Sequence, residues 1–422
     1  MNRIKTFLAI AIVALAARSQ TLEQCQQAAE RNYPLIAQHD LIARTTHFTM
    51  AGVIKGRLPQ VTATAQATYQ SAVTSWPDEM KPMMQSMGVD MKGLARDQYR
   101  VGLDVQQTVY DGGSIGAQRE VARLQGDVQH AQLDVDLYSV QRRVNEMYFA
   151  LLLLEDQIRL NNDLQEQLAA SEKKLTSMVK HGTAARCDLD NVTAERLNVV
   201  QHMTTLTSQR HVLMQMLSAF CGLEVTAVVK PQVPQVGQDI DRPELRLIDS
   251  RLSLADAQER ALDAALLPRV GVFAQGYYGY PGYNMFKDMM GRQWSWNSMV
   301  GARVTWNIGA LYTRHSDKAK IQLQRETALN QRETFLFNNR LEQMQQQEVV
   351  DRYRSLMAQD SEIIALRRQV RKAAESKLSH GIIDVNDLLR DITSENAALV
   401  QQSIHEIEML KGLYDLKYTI NN

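Results

Sequence analysis

Residues 58–69 read LPQVTATAQATY and alternate between two kinds of side chain. Valine, alanine and tyrosine occupy the odd positions from 61 to 69, and glutamine or threonine occupies the even positions. Alternation with a period of two predicts a β-strand with one apolar face and one polar face. The pattern returns in residues 99–109, 270–278 and 300–308, so the sequence predicts four strands of this kind.

The strands belong to a larger repeat. Leu58-Pro59 returns as Leu267-Pro268 after 209 residues, and His181-Gly182 returns as His380-Gly381 after 199 residues. Landmarks at constant offsets indicate a tandem duplication, and each half has the order helix, strand, strand, very long helix, helix. The predicted segments are a first repeat at 20–222, a linker at 223–240 and a second repeat at 241–422.

Very long helices follow the strands in both halves. No proline interrupts the segment from Gly113 to Gly182, and a helix of that length would measure roughly 100 Å at about 1.5 Å per residue. Apolar residues recur every seven positions, which indicates coiled-coil packing; they include Leu137, Val144, Leu151 and Ile158 in the first half and Leu329, Leu336, Val350 and Ile364 in the second. A glycine ends each long helix and reverses the chain, so a second helix (188–220 and 387–418) completes an antiparallel hairpin.

The amino terminus and the charge balance indicate the compartment. Residues 1–19 contain a basic start, an apolar stretch and small residues before Gln20, which is typical of a secretory signal peptide. Beyond it the longest apolar run is Met147 to Leu154, so any membrane crossing would use strands. Lys plus Arg number 47 and Asp plus Glu number 47, and this zero net charge argues against a nucleic-acid partner.

Four strands cannot close a transmembrane barrel, because the smallest such barrels have about eight. Three copies of the chain would supply twelve strands, with the apolar face toward lipid and the polar face toward a lumen. A soluble sheet with one face on a core would show the same alternation, so a soluble periplasmic coiled-coil scaffold is the alternative. The residues expected to face lipid are Val61, Ala63, Val101, Leu103, Val105, Val272 and Val304, with Gln106 in the lumen.

Three motifs together resemble the TolC family of outer-membrane channel proteins. They are the repeated Leu-Pro before a strand, the Tyr110-Asp111-Gly112-Gly113 passage from strand to long helix, and a glycine followed six residues later by aspartate at each hairpin tip. The second half has Ala310-Leu311-Tyr312 in place of Asp111-Gly112-Gly113, so the two passages are expected to differ in geometry.

The resemblance implies a mainly α, mixed fold in a homotrimer, with a twelve-stranded barrel in outer-membrane lipid and a helical tunnel in the periplasm of a Gram-negative bacterium. It also implies a periplasmic adaptor protein and an inner-membrane transporter as partners. The expected function is the exit duct of a tripartite efflux or type I secretion system, which exports small toxic molecules or proteins.

The hairpin tips are the expected docking sites for the adaptor, because they are the ends furthest from the strands. The residues concerned are Gly182, Gly381, His181 and His380, and both glycines are expected to adopt a positive φ. The histidines also suit a helix carboxyl end, where a partial negative charge favours a cation.

Acidic residues follow each tip and suggest a gate. A threefold axis would bring three copies each of Asp188 and Asp387 to the narrow end of the tunnel, where a carboxylate ring would attract cations. The resemblance supports Asp387 in particular, whereas Arg390 stands where the family often has a second aspartate. The alternative is that Asp188 and Asp387 only cap or flank a helix amino terminus, where acidic side chains are favoured.

Other motifs suggest no catalytic or cofactor site. Gly112 to Gly116 matches the G-x-S-x-G motif of hydrolases, but that motif requires a parallel α/β sheet, which the strand pattern does not predict. One loop is rich in methionine, and its thioethers could bind Cu(I), but the composition favours an adaptable exposed loop; the residues are Met80, Met83, Met84, Met87 and Met91. Cys25, Cys187 and Cys221 lack C-x-x-C spacing, so buried or free thiols are expected. The sequence predicts no enzyme, cofactor or metal.

Overall fold

The computed structural model describes residues 20–88, 93–237 and 239–421. The predicted signal peptide at residues 1–19 and Met91 of the methionine-rich loop lie outside these ranges. The helices and strands are, in chain order, α1 (Leu22–Asn32), α2 (Gln38–Ile54), β1 (Gln60–Tyr69), α3 (Lys81–Ser86), β2 (Asp97–Tyr110), α4 (Ser114–Lys180), α5 (Arg186–Cys221), α6 (Pro243–Ala265), β3 (Arg269–Tyr280), α7 (Met285–Met290), β4 (Ser295–Thr305), α8 (Ala310–Ser379) and α9 (Val385–Ile420).

This order confirms the mainly α, mixed fold with four strands. Helices α5 and α9 both contain 36 residues and begin 199 positions apart. The helix expected before the first strand is α2, and an additional helix that the sequence did not predict, α1, precedes it across a 3₁₀ turn at Pro34–Ala37. Proline has no backbone N–H and disfavours helical backbone at the preceding residue, and Tyr33 is accordingly extended.

The chain forms two compact units that draw on both halves of the sequence. The helical unit contains residues 20–39, 131–247 and 331–421, and the strand unit contains residues 40–130 and 248–330. Helix α5 ends at Cys221 and α6 begins at Pro243. The assignment of residues 20–222, 223–240 and 241–422 to two repeats and a linker stays a prediction.

The helical unit is held together by the predicted heptad positions. Val144 and Leu151 are completely buried, and Val350 in the second half is buried as well. Leu329 was expected in the same seam but is 46% exposed. A straight helix drifts by about 20° per heptad relative to a 3.5-residue repeat, so over five heptads the Leu329 end of the seam turns outward, while Ile364 at the other end stays buried.

The strand unit contains one antiparallel sheet in the order β1-β2-β3-β4. Val61 pairs with Val105, and Ala274 pairs with both Val105 and Val300. Apolar side chains therefore lie next to each other across the sheet. Both edge strands, β1 and β4, have one side without a neighbouring strand in this sheet. In the described part of the chain no helix is both long enough and apolar enough to cross a membrane.

Candidate functional site

The apolar face of the sheet is exposed. All seven residues predicted to face lipid lie on this one face, as the strand register requires. Leu103 is 55% exposed and Val300 is 80% exposed. A soluble sheet would bury such a face against a core because apolar burial drives folding, so this surface requires an apolar environment.

Aromatic side chains mark both ends of the apolar face. Tyr278 contacts Trp294 and Trp296 at one end, with ring centroids 5.4 and 5.2 Å apart. Trp306 follows β4 at the other end and donates its indole N–H to the Leu266 carbonyl at 2.9 Å. The ten residue steps from Trp296 to Trp306 span roughly 25 Å across a bilayer for strands tilted by about 40°. That height matches the apolar band of an outer-membrane barrel, flanked by aromatic girdles.

The opposite face of the sheet is polar. Arg100 donates its Nε–H to the Gln66 carboxamide oxygen at 3.1 Å, and Gln106, the predicted lumen residue, is exposed here. The guanidinium of Arg303 lies 4.9 Å from the centre of the Phe273 ring. The side chains of this face therefore suit contact with water.

The passage from β2 into α4 depends on Asp111 and two glycines. Asp111 accepts hydrogen bonds from the Gly113 N–H at 3.0 Å and the Ile115 N–H at 2.6 Å. Desolvation raises the pKa of this carboxyl, but these backbone hydrogen bonds outweigh it and the pKa lies below its ordinary value. Gly112 and Gly113 have φ of +69° and +83°.

The second passage, before α8, is built differently, as the sequence predicted. Here the Ala310 N–H donates to the Asn307 carbonyl at 3.3 Å and the Leu311 N–H donates to the Ile308 carbonyl at 3.0 Å. Successive turns of this kind lead into a helix without left-handed glycines.

The first hairpin tip joins α4 to α5. Gly182 has φ of +73°, and its N–H donates to the Val179 carbonyl at 3.0 Å, while the Thr183 N–H donates to the Met178 carbonyl at 2.9 Å. His181 is exposed at the helix end. A left-handed glycine that satisfies the last carbonyls is a typical helix stop.

The second hairpin tip, between α8 and α9, repeats this arrangement. Gly381 has φ of +70° and its N–H donates to the Leu378 carbonyl at 3.0 Å. The exposed His380 places its Nδ1 2.7 Å from the Ser376 carbonyl, so it takes part in ending the helix. The predicted positive φ of Gly182 and Gly381 is confirmed.

The two hairpins contact each other close to their tips. The Asn191 side chain donates to the Asn386 side-chain oxygen at 3.1 Å. Behind this bond lies an apolar cluster to which both hairpins contribute, including the buried Leu175, Val192 and Ile392. The four tip residues predicted to dock the adaptor therefore belong to one packed structure within the helical unit.

The acids proposed for the gate have different partners. Asp188 accepts a hydrogen bond from the Ala185 N–H at 3.2 Å and so caps the start of α5. In α9 the cap is Asp384, which accepts from the Asp387 N–H at 2.9 Å. The carboxylate of Asp387 instead lies 3.2 Å from the Arg390 guanidinium. Asp188 thus caps a helix, as the alternative expected, whereas Asp387 forms an ion pair.

Glu395 is a buried charged group of the helical unit that the sequence analysis missed. Glu395 is only 7% exposed and accepts from the Nε–H groups of Arg371 and, at 3.2 Å, Arg368. Its spacing gave a signal, because Glu395 falls seven residues after the buried Leu388 and so occupies a heptad core position.

The competing motifs have structural roles. Ser114 of the G-x-S-x-G motif is 3% exposed at the start of α4, next to an antiparallel sheet rather than a parallel one. In the methionine-rich loop Met83 and Met84 lie on the short helix α3, and Met83 and Met87 are exposed. Within the described residues, no group of three or more His, Cys, Asp or Glu side chains could hold a metal ion.

Several solved structures share this fold at low sequence identity. The chain is similar to the outer-membrane channel OprN, with 17% identity, a TM-score of 0.67 and coverage of 94% of this chain and 89% of that one. It is also similar to the outer membrane protein VceC from Vibrio cholerae, with 12% identity, a TM-score of 0.68 and coverage of 95% and 96%. A third similar structure is the open-state MtrE outer membrane channel from Neisseria gonorrhoeae, with 14% identity, a TM-score of 0.67 and coverage of 95% of this chain and 89% of that one.

A sequence comparison adds a family match for the first half of the chain. Residues 25–223 match the family model described as outer membrane efflux protein. Over these residues the chain is similar to the outer membrane efflux protein family. No curated protein sequence matches it. An outer membrane efflux protein is a channel rather than an enzyme, and it is the exit duct of a tripartite efflux system in the outer membrane. The alternative of a soluble scaffold is wrong, and the exposed apolar face gives the physical reason.

Proposed function

We propose that three copies of this chain close a twelve-stranded barrel, and that the hairpin tips bind a periplasmic adaptor and form a gate. The adaptor would connect the duct to an inner-membrane transporter. The cargo class would be small toxic molecules or, if the transporter is of the type I secretion class, proteins.

The exposed apolar face of the open sheet carries this proposal. The strands β1 and β4 each leave one edge unpaired in the sheet, and unpaired backbone groups within a bilayer cost several kcal/mol each. Closure is therefore necessary. Three sheets of four strands reach a barrel size known among membrane barrels, whereas a single sheet does not.

The tips supply the features expected of a docking site. His181, Gly182, His380 and Gly381 are exposed, and Ile382 beside them is 70% exposed. The packed cluster behind the tips gives these turns a defined shape. A partner helix or loop that presents apolar and polar groups together would complement this surface.

Asp387 is the stronger gate residue of the two acids, since Asp188 already serves as a helix cap. The Arg390 guanidinium neutralises part of the Asp387 charge. A threefold ring of Asp387 would thus attract cations less strongly than a ring of unpaired carboxylates, and Arg390 would set the strength of that attraction.

Two arginine substitutions in β2, one on each face of the sheet, test the barrel. Leu103 lies on the apolar face near the middle of β2, and Gln106 lies on the polar face three residues further along the strand. A charge at the bilayer midplane of a barrel costs about 2–4 kcal/mol. We expect Leu103→Arg to reduce the amount of assembled protein in outer membranes severalfold, while Gln106→Arg assembles normally. Equal tolerance of both substitutions would overturn the orientation of the sheet.

A further inference from the structure

Helix α1 stands outside the element order that the two halves share. The 3₁₀ turn at Pro34–Ala37 and α2 correspond to α6, whereas α1 has no helical counterpart among the described residues before Pro243. This helix is attached to the end of α5. The Asn32 side chain donates to the carbonyls of Ala219 and Phe220 at 3.1 and 3.2 Å, and the rings of Tyr33 and Phe220 stack at 5.9 Å.

Two cysteines lie in the middle of this contact. Cys25 of α1 is 0% exposed and Cys221 of α5 is 4% exposed. The Cys221 thiol lies 3.4 Å from the Cys25 carbonyl oxygen, and both belong to one apolar cluster with Leu22 and Leu217.

The two thiols also influence each other's protonation. A hydrogen bond with Cys221, followed by burial, raises the pKa of the Cys25 thiol, and the same hydrogen bond lowers the pKa of Cys221. The contact between α1 and α5 therefore holds both cysteines in one buried apolar cluster. The third cysteine, Cys187, is exposed at the start of α5 and lies apart from this cluster.

We propose that Cys25 and Cys221 form a disulfide bond in the exported protein. The compartment supports this, because disulfides form and persist outside the inner membrane but rarely in the cytosol. Burial of both thiols places the reaction before the α1–α5 contact is complete, during folding after export. Cys187 keeps a free thiol.

The oxidant is the disulfide of a thiol-oxidising protein of the cell envelope. One cysteine thiolate attacks that disulfide, which gives a mixed disulfide and releases one thiolate of the oxidant. The second cysteine thiolate then attacks the mixed disulfide, which forms the Cys25–Cys221 bond and releases the second thiolate of the oxidant. The two cysteines lose two electrons and two protons, and the oxidant is reduced to a dithiol.

The bond would fix the amino-terminal helix to the end of the first half of the chain. It would close a loop that contains β1, β2 and the whole first hairpin. Cross-links across long loops restrict the unfolded chain the most in the chain-entropy description. The disulfide therefore opposes both detachment of α1 and unfolding of the first half.

Thiol counting on protein purified from outer membranes tests this proposal. The protein is denatured in the presence of a polyethylene glycol maleimide, and the number of labels is read from the gel shift. We expect one label per chain without reductant and three after reduction. Three labels without reductant would overturn the proposal.

Cysteine variants identify the partners. Cys187→Ser should give no label before reduction and two after it. Cys25→Ser and Cys221→Ser should each give two labels in both conditions, because the remaining partner is released. Two labels in unreduced Cys187→Ser would show that Cys25 and Cys221 are not joined, which would contradict the assignment.

Discussion

Replacement of Gly112 by alanine tests the geometry of the passage from β2 into α4. Gly112 is buried with φ of +69°, and a Cβ atom at this position would lie 2.6 Å from the Leu267 Cβ and 3.1 Å from the Ala264 carbonyl oxygen. The adjacent Gly113 is the matched control. It has φ of +83°, but a Cβ there would meet nothing within 4 Å.

The magnitudes differ for a physical reason. A left-handed backbone costs a residue with a Cβ about 1–2 kcal/mol, and this term applies to both substitutions. Overpacking against Leu267 adds about 1–3 kcal/mol at Gly112 alone. We therefore expect Gly112→Ala to destabilise the protein by about 2–5 kcal/mol in all and Gly113→Ala by the backbone term only.

Thermal unfolding in detergent, followed by circular dichroism at a fixed scan rate, compares the two variants. The unfolding midpoint should fall about twice as far or more for Gly112→Ala. Because the overlap is with the Leu267 side chain, the difference between the variants should shrink in a Leu267→Gly background. Equal midpoints for Gly112→Ala and Gly113→Ala would refute the close approach of these two segments.

Three further predictions concern the helical unit. Gly381→Val places a β-branched residue at φ of +70° without any steric neighbour. We expect this variant to lose export in a drug-susceptibility assay and Gly381→Asn to be better tolerated, with normal membrane insertion of both. Normal export by the valine variant would argue against docking at this tip. In planar bilayers, Asp387→Ala should relieve block by a trivalent cation added from the periplasmic side, and Arg390→Gln should strengthen that block, whereas unchanged block in both variants would remove Asp387 from the gate. Burial raises the pKa of Asp415, so ionisation of this carboxyl opposes folding above its ordinary pKa of 3.8. Asp415→Asn should therefore stabilise the protein at pH 7, and this gain in stability should disappear below pH 3.8. An equal gain at about pH 3 would contradict the burial argument.

Regular periodicity made most of the fold predictable. Alternation from Val61 to Tyr69 gave β1 because a strand presents successive side chains to opposite faces, and heptads gave α4 because coiled-coil packing repeats every seven residues. Local irregularities were harder to predict. A register shift between Thr108 and Tyr110 interrupts the pairing of β2 with β3, and no periodic signal marks one extra residue in a strand.

The sequence predicted where the residues of the hairpin tips lie along the chain better than it predicted which residues they contact. The glycines at the tips were expected to adopt a positive φ because each follows a long helix and precedes another. The roles of the two acids depended instead on the residue three positions before each. Ala185 has no side chain that can cap α5, and Asp188 caps that helix instead. Asp384 caps α9, so the Asp387 carboxylate is available for the ion pair with Arg390.

The number of chains in the assembled particle tests trimeric closure most directly. Native mass spectrometry of the protein, extracted from outer membranes in detergent, counts the chains without reference to activity. The exposed apolar face and the two open edges of the four-stranded sheet predict more than one chain per particle, and the proposed twelve-stranded barrel requires three. A particle with one chain would leave the edges of that sheet unpaired in the membrane and would contradict the account.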